Sequence, residues 1–361
     1  MTRITRPLRV GIIGTGGIAG NHIEGYQKAE GVELVATCDV VESRAIGMKE
    51  KYGFRTHFTS WEEMVKHADL DVVSVCTPPF AHVEPAIGAL EAGLHVMCEK
   101  PMALDAVQAK SMVDAWHKVR DTKGNLLSVG FQSRFGRNAQ QLKRFIDAGE
   151  LGEVYYVRAA YLRRRGVPAW GVFTNKALNG GGPMIDVGVH VLDLSLWLMG
   201  HPKIQSVYGA SFCKFGNRPG VFNPWGAWDP AKFDVEDSAF AMIRFENGAA
   251  LQLEVSWALN LPKSVTETLV CGTDGGARLE PLTLFQERHG TIIDVVVPEK
   301  ATEGQGGPSE PNHHLQIVAW IESIRAGTAP LVLPEQALQV SQIVDAVYRS
   351  SETGASVAFS A

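Results

Sequence analysis

Leu8-Arg-Val-Gly-Ile-Ile-Gly14-Thr-Gly16-Gly-Ile-Ala19 runs from an apolar strand through a glycine turn into a helical pattern that continues to about Lys28. The spacing Gly14-x-Gly16-x-x-Ala19 lets the backbone turn tightly, approach a pyrophosphate and aim the amides of the helix start at it. Gly14, Thr15, Gly16, Gly17, Ile18 and Ala19 are therefore read as a dinucleotide cradle. A second strand, Val32–Cys38, ends at Asp39, 23 residues after Gly16, where a carboxylate meets an adenosine ribose. Val40 and Val41 follow it, and the next arginine, Arg44, falls in the following helix. A 2′-phosphate would be repelled there, so the pattern favours NAD(H).

The alternation continues outward: a helix near 41–52, a Ser60-Trp-Glu-Glu63 capping box and a strand Asp71–Cys76. Thr77-Pro-Pro-Phe-Ala-His82 leaves that strand at its carboxyl end, the edge at which open α/β sheets bind ligands. After a helix near 82–92, the strand Leu94–Cys98 delivers Glu99-Lys100-Pro101 to the same edge. Thr77, Pro78, His82, Glu99 and Lys100 are candidate cofactor contacts. Lysines at strand tips are usually solvated charges, but Pro101 fixes the turn and with it Lys100. A helix near 105–121 and a strand near 126–130 complete a Rossmann domain over residues 1–130.

The 361-residue length exceeds what one core usually serves, so a second domain is expected over 131–361. With 45% hydrophobic and 20% charged residues the chain reads as an ordinary globular protein. A net charge of −5 argues against nucleic acid or an anionic membrane as partner and leaves a small molecule. No apolar leader core or bilayer-length run stands out, so a cytoplasmic protein is expected. The five cysteines lack CxxC spacing and read as reduced packing residues, and no metal site is expected.

Gly180-Gly-Gly-Pro183-Met-Ile-Asp186-Val-Gly-Val-His190-Val-Leu-Asp193-Leu-Ser-Leu-Trp-Leu-Met-Gly200 opens on glycines and predicts a helix over 183–199. Asp186, His190 and Asp193 fall on one face amid apolar side chains. One reading is an imidazole acid/base with a carboxylate one turn away to orient it; the other is a buried histidine satisfied by its neighbour. Before this helix, Arg163-Arg-Arg165 and Trp170 suggest a loop that closes on cofactor or substrate, or a solvated charge run. After it, strands are predicted at about 204–213, 235–246, 249–259, 265–271, 276–280 and 291–297, with Asn247-Gly248 as a hairpin turn. The second domain is thus an α+β unit with a large, mostly antiparallel sheet. The stretch Gly216–Phe233 is an ordered loop, Glu303–Pro311 a Gly/Pro/Ser-rich one, and His313 at the next helix start is a candidate substrate contact.

The order GTGGIA, Asp39, TPPFAH, HVMCEKP and GGGPMIDVGVHVLDLSLWLMG resembles the glucose–fructose oxidoreductase/inositol dehydrogenase/MocA (Gfo/Idh/MocA) family along nearly the whole chain. One departure is Pro79, where that family often has Asn. The resemblance implies that Lys100, Asp186 and His190 face nicotinamide and substrate, that Gln132 and Arg134 at the domain junction face the cleft as substrate contacts, an ordinary linker being the alternative, and that the second sheet pairs subunits into a homodimer or homotetramer. It implies an NAD(H)-dependent oxidoreductase interconverting a secondary alcohol and a ketone on a sugar or cyclitol. The loop reading of the arginine run, close to the glycine run, makes Trp170 a candidate cofactor contact and Arg163 a candidate substrate contact. An NAD-dependent glycosidase working by transient oxidation and elimination would use much the same residues. A non-catalytic NAD-binding regulator would not need all three of Lys100, Asp186 and His190.

Overall fold

The computed structural model describes residues 6–298 and 310–359. Of the loop expected over Glu303–Pro311, residues 303–309 lie outside them. Two compact units are present, Met1–Gln132 with Glu310–Ser341 and Ser133–Ser309 with Gln342–Ala361.

The first unit holds β1 (Leu8–Ile13), β2 (Val32–Cys38), β3 (Thr56–Phe58), β4 (Val72–Val75), β5 (His95–Cys98) and β6 (Leu127–Val129). They form a parallel sheet in the order β3-β2-β1-β4-β5-β6, the doubly wound arrangement of dinucleotide-binding folds. Val10, Ile12, Val72, Val73 and Val96 are fully buried, as strands covered on both faces require. Ser60 and Asp105 cap the starts of the helices Trp61–His67 and Ala106–Lys123 by accepting from Glu63 and Gln108 amides.

This unit is finished by chain that follows the second unit, a departure from the expected split at 130/131. The helix Asn312–Ala326 packs on Ala19–Lys28, and Ile317 stands so close to Gly25 that an added Cβ there would lie 2.7 Å from it. Ile317, Trp320, Ile321 and Ile324 join Leu8, Ile23 and Tyr26 in one core cluster. Burying that apolar stripe is what returns the chain to the first unit. The crossing at 341/342 falls inside the helix Pro334–Thr353.

The second unit contains β7 (Val154–Leu162), β8 (Ile204–Phe212), β9 (Ser238–Phe245), β10 (Ala250–Ser256), β11 (Val265–Gly272), β12 (Gly276–Arg278), β13 (Thr283–Arg288), β14 (Thr291–Val296) and β15 (Val357–Ala358). They form one nine-stranded sheet, β14-β13-β12-β11-β7-β10-β9-β8-β15. Only β7 and β10 pair in parallel, so the mostly antiparallel expectation is met, and the hairpin turns at Gly248. The strand Thr283–Arg288 was not anticipated.

The helix expected over 183–199 is two elements. Met184–Gly188 is a π-helical turn, with Val189 N–H donating to Met184 C=O, and the α-helix is Val189–Leu198. The widened turn seats Gly188 on Val255, whose Cγ1 lies 3.3 Å from where a Cβ would stand. Among the described residues, no helix is long and apolar enough to cross a membrane.

Candidate active site

The glycine turn has the geometry its spacing demands. Gly14 adopts φ +87°, and a Cβ there would come within 2.6 Å of Thr77 N, so no other residue fits. Gly16 and Gly17 are exposed, and a Cβ on either would meet nothing within 4 Å. The outer side of the turn is therefore open, which is the space a pyrophosphate needs. Ile18 is the helix N-cap and half-buried, while Ala19 is fully buried; its small size allows the close packing of helix on strand. Asp39 Oδ2 accepts from both Thr15 N and Thr15 Oγ1 at 2.9 Å, and its Oδ1 accepts from Val41 N at 2.9 Å. The carboxylate is thus tied to the cradle at the end of β2, with a lone pair of Oδ1 left for a ribose hydroxyl. These residues fit a bound NAD.

At the tips of β4 and β5, His82 is buried and spans two turns, its ring nitrogens 2.7 Å from Thr77 O and 2.8 Å from Pro101 O. Burial lowers its pKa, with the two carbonyls only partly offsetting that. His82 thereby braces the Thr77-Pro78 and Lys100-Pro101 turns. Glu99 is also buried. Its Oε1 meets His22 Nε2 at 2.8 Å and its Oε2 accepts from Lys100 N at 3.1 Å. His22 Nδ1 lies 3.0 Å from Ser74 Oγ, and Ser74 Oγ 2.7 Å from Tyr26 OH. Burial works against a charged His22, but Cys76 and Glu99 outweigh it and raise the pKa to about 10. Glu99 is also disfavoured by burial, yet His22 and then Lys100 hold its pKa below the ordinary value. His313 feels the charges of Glu99, His22 and Lys100, and burial lowers its pKa first of all. Half-buried Gln132 ends this stretch of the unit.

In the second unit the glycine run is fixed by Glu236. Its buried carboxylate accepts from Gly182 N at 2.9 Å and Met184 N at 3.0 Å, with Tyr348 OH 3.0 Å away. A Cβ on Gly182 would fall 2.0 Å from Glu236 O, and one on Gly181 2.0 Å from Tyr348 OH, which is why the run is glycine. Burial raises the Glu236 pKa, against the pull of the two amides. From that anchored start Asp186 Oδ2 accepts from Trp257 Nε1 at 2.9 Å and from Arg163 Nη1 at 3.3 Å. Half-buried His190 follows one turn on. Trp170 is exposed and packs against Phe173 and Trp225.

Arg134 and Asp193 depart from expectation. Both are fully buried, and Arg134 Nε and Nη2 donate to the two Asp193 oxygens at 2.8 and 2.6 Å. Asp193 is thus drawn into an ion pair, and Arg134 serves that pair instead of projecting its charge toward a ligand. Sequence reasoning missed His22, Glu236 and Trp257, whose partners lie 52 or more residues away in the chain. The local sequence gives little signal: His22 stands in the polar helix after the glycine turn and Glu236 in the acidic stretch just before β9.

Residues 8–131 match the oxidoreductase family with an NAD-binding Rossmann fold, and residues 139–278 match the GFO/IDH/MocA C-terminal domain. D-glucoside 3-dehydrogenase of Escherichia coli (strain K12) is 41% identical over 354 residues, covering 97% of both chains. An oxidoreductase domain protein from Kribbella flavida superposes with a TM-score of 0.87 at 25% identity, over 98% of this chain and 99% of that one. Levoglucosan dehydrogenase, in complex with NADH and levoglucosan, shares the fold with a TM-score of 0.82 at 23% identity, over 98% and 99%. With an Asp39-tied glycine cradle in one unit and the Asp186–His190 turn in the other, the cofactor is NAD, and the chain belongs to the Gfo/Idh/MocA family of oxidoreductases.

Proposed function

We propose that this protein is an NAD(H)-dependent dehydrogenase that interconverts a secondary alcohol and a ketone on a sugar or cyclitol, with a D-glucoside as the substrate class. The observation that carries the reading is the Asp186 carboxylate, fixed by Trp257 and Arg163 one turn before His190. Two donors on Oδ2 set the direction of that carboxylate, which is what an orienting group for an imidazole requires. The likeness to D-glucoside 3-dehydrogenase along nearly the full length of both chains supports the substrate class.

Bound NAD supplies the hydride acceptor for oxidation. In this reading His190 takes the hydroxyl proton of the substrate. Lys100 hydrogen-bonds the same oxygen and stabilises the negative charge that develops on it. Asp186 holds the imidazole in the productive orientation, and Glu236 holds the start of the turn that carries Asp186 and leads into the helix of His190. Gly14 to Gly17 and Asp39 bind the cofactor, while Glu99 and His82 keep the Lys100 turn in place. The reading extends to a homo-oligomer in the cytoplasm. Exposed Tyr155, Tyr208, Phe212 and Met242 on β7, β8 and β9 support pairing through this sheet, and the unpaired cysteines support a reducing compartment.

The test is to incubate the purified protein with NAD+ and a panel of glucosides, free sugars and cyclitols while following NADH. NADH formed in step with a keto product supports the proposal. Aglycone released without net NADH would replace it with the elimination reaction.

A further inference from the structure

The side chains around Asp186 form a closed circuit within the second unit. Asp186 Oδ2 accepts from Trp257 Nε1 at 2.9 Å, and the Trp257 ring meets Phe173 edge-on at 6.4 Å. Phe173 meets Trp170 at 6.2 Å and 78°, and Trp170 meets Trp225 at 5.8 Å and 49°. The Arg163 guanidinium lies 4.7 Å from the centroid of Trp225 and donates back to Asp186 Oδ2 at 3.3 Å. Part of this circuit is core, since Trp257 is fully buried. Two members are not. Trp170 is 56% and Trp225 43% exposed, an unusual pair of neighbouring indoles to leave in water.

The loops that carry these indoles are also tied together. Asn223 accepts from Val167 N at 3.0 Å and donates to Val167 O at 2.9 Å and Gly226 O at 2.8 Å. This ties the loop that carries Trp225 to the segment between Arg163 and Trp170. A Cβ on Gly166 would stand 3.2 Å from the Trp225 ring, so the two segments are in close contact there. A ligand that meets this surface need not order it first, and preorganisation of that kind is worth affinity.

We propose that Trp170 and Trp225 form an aglycone shelf, a subsite for an apolar or aromatic group attached to the sugar. The inference rests on the dehydrogenase reading for the position of the reacting ring. Arg163 stands between Asp186 and Trp225, so the shelf is set off from the carboxylate by the width of a guanidinium. It meets what lies beyond the reacting ring. Two indole faces with a cation stacked behind one of them suit a flat, weakly polar group, whose edge-to-face or offset contacts each favour binding modestly. A free monosaccharide has nothing to place there.

The test is calorimetric titration of phenyl β-D-glucoside and methyl β-D-glucoside into the NADH-loaded protein, so that binding is read without turnover. In the wild type the phenyl compound should bind about ten-fold more tightly, the order expected of one or two aromatic contacts. That ratio should fall to near one in Trp170→Ala and in Trp225→Ala, and Trp225→Phe, which keeps a ring over Arg163, should retain most of it. A wild-type ratio near one, or a ratio that survives both alanine variants, overturns the shelf. So does a Trp170→Ala variant that loses NADH affinity while its ratio is intact, because that makes Trp170 a cofactor contact. NADH production is measured separately on the same compounds: a ratio that collapses in the variants without any wild-type turnover keeps the shelf and sinks the dehydrogenase reading.

Discussion

Arg134 and Asp193 meet as a bidentate ion pair in which neither side chain keeps any exposure to solvent. Burial still raises the Asp193 pKa, with Arg134 only partly offsetting it, so the pair is held by its geometry at a desolvation cost. Removing one partner strands the other. Arg134→Met should therefore lower unfolding free energy by roughly 3–5 kcal/mol, and Arg134→Met with Asp193→Leu should recover much of the loss. Urea unfolding of the three proteins checks this, and equal losses in the single and double variants would contradict it.

The His22–Glu99 pair predicts a pH dependence of stability. His22 is raised from its ordinary 6.5 to about 10, so its contribution is complete below pH 6.5 and is lost as pH rises through about 10. Glu99 is lowered from 4.5, so its contribution is present above pH 4.5 and is lost as pH falls through its lower native value. The pair is strongest between those limits. Melting temperature should decline between pH 6.5 and 10 in the wild type. His22→Gln should melt lower at neutral pH, having left Glu99 buried without its partner, and should lack that part of the alkaline decline. A decline of the same size in His22→Gln would show that another group causes it.

Cofactor preference tests Asp39. Its carboxylate, tied to Thr15 and Val41, should accept ribose hydroxyls and repel a 2′-phosphate, so NAD(H) should bind more tightly than NADP(H). Asp39→Ala should narrow the difference. Fluorescence titration with both cofactors measures it, and tighter NADP(H) binding in the wild type is incompatible with the assignment.

For the chemistry, His190→Ala should lose turnover by roughly 100- to 10,000-fold while keeping its NAD(H) affinity, because that is the usual worth of a positioned proton-transfer group. Lys100→Ala should also lose turnover. Asp186→Asn should be milder in kcat than His190→Ala. A folded His190→Ala variant with near-normal turnover, but a lower melting temperature, would make His190 a core residue.

Glu236 tests the anchoring of the same turn. Glu236→Gln keeps one acceptor where the carboxylate holds the Gly182 and Met184 amides, so it should cost about 1–3 kcal/mol of stability and reduce kcat more than KM. Thermal unfolding alongside steady-state kinetics separates the two effects. Unchanged kcat in the still-folded fraction would mean that the anchor has no bearing on His190.

What was legible in the sequence was local. Gly14, Gly16 and Asp39 are read from spacings of a few to a few dozen residues, and a strand–turn–helix unit satisfies itself over that range. β3 has three residues and β13 has a burial pattern without alternation, so neither has a period to detect. The π turn at Met184–Gly188 shifts the i, i+4 arithmetic that placed Asp186, His190 and Asp193 on one face. The pairing of Arg134 with Asp193 and the roles of His22, Glu236 and Trp257 escaped because the partners are distant in sequence, and pairing at long range leaves no pattern in a single chain.

The return of Asn312–Ala326 to the first unit ties synthesis order to completeness. When the ribosome has delivered residues 1–132, the strands and the glycine cradle exist, but the flank of Ala19–Lys28 that takes Ile317, Trp320, Ile321 and Ile324 is bare. It stays bare until nearly two hundred further residues have emerged. Until then the first unit lacks part of its apolar core, the kind of exposed surface that favours aggregation. A fragment cut at the end of the Rossmann motif should aggregate, whereas one that has residues 310–341 spliced directly after 132 carries the missing wall.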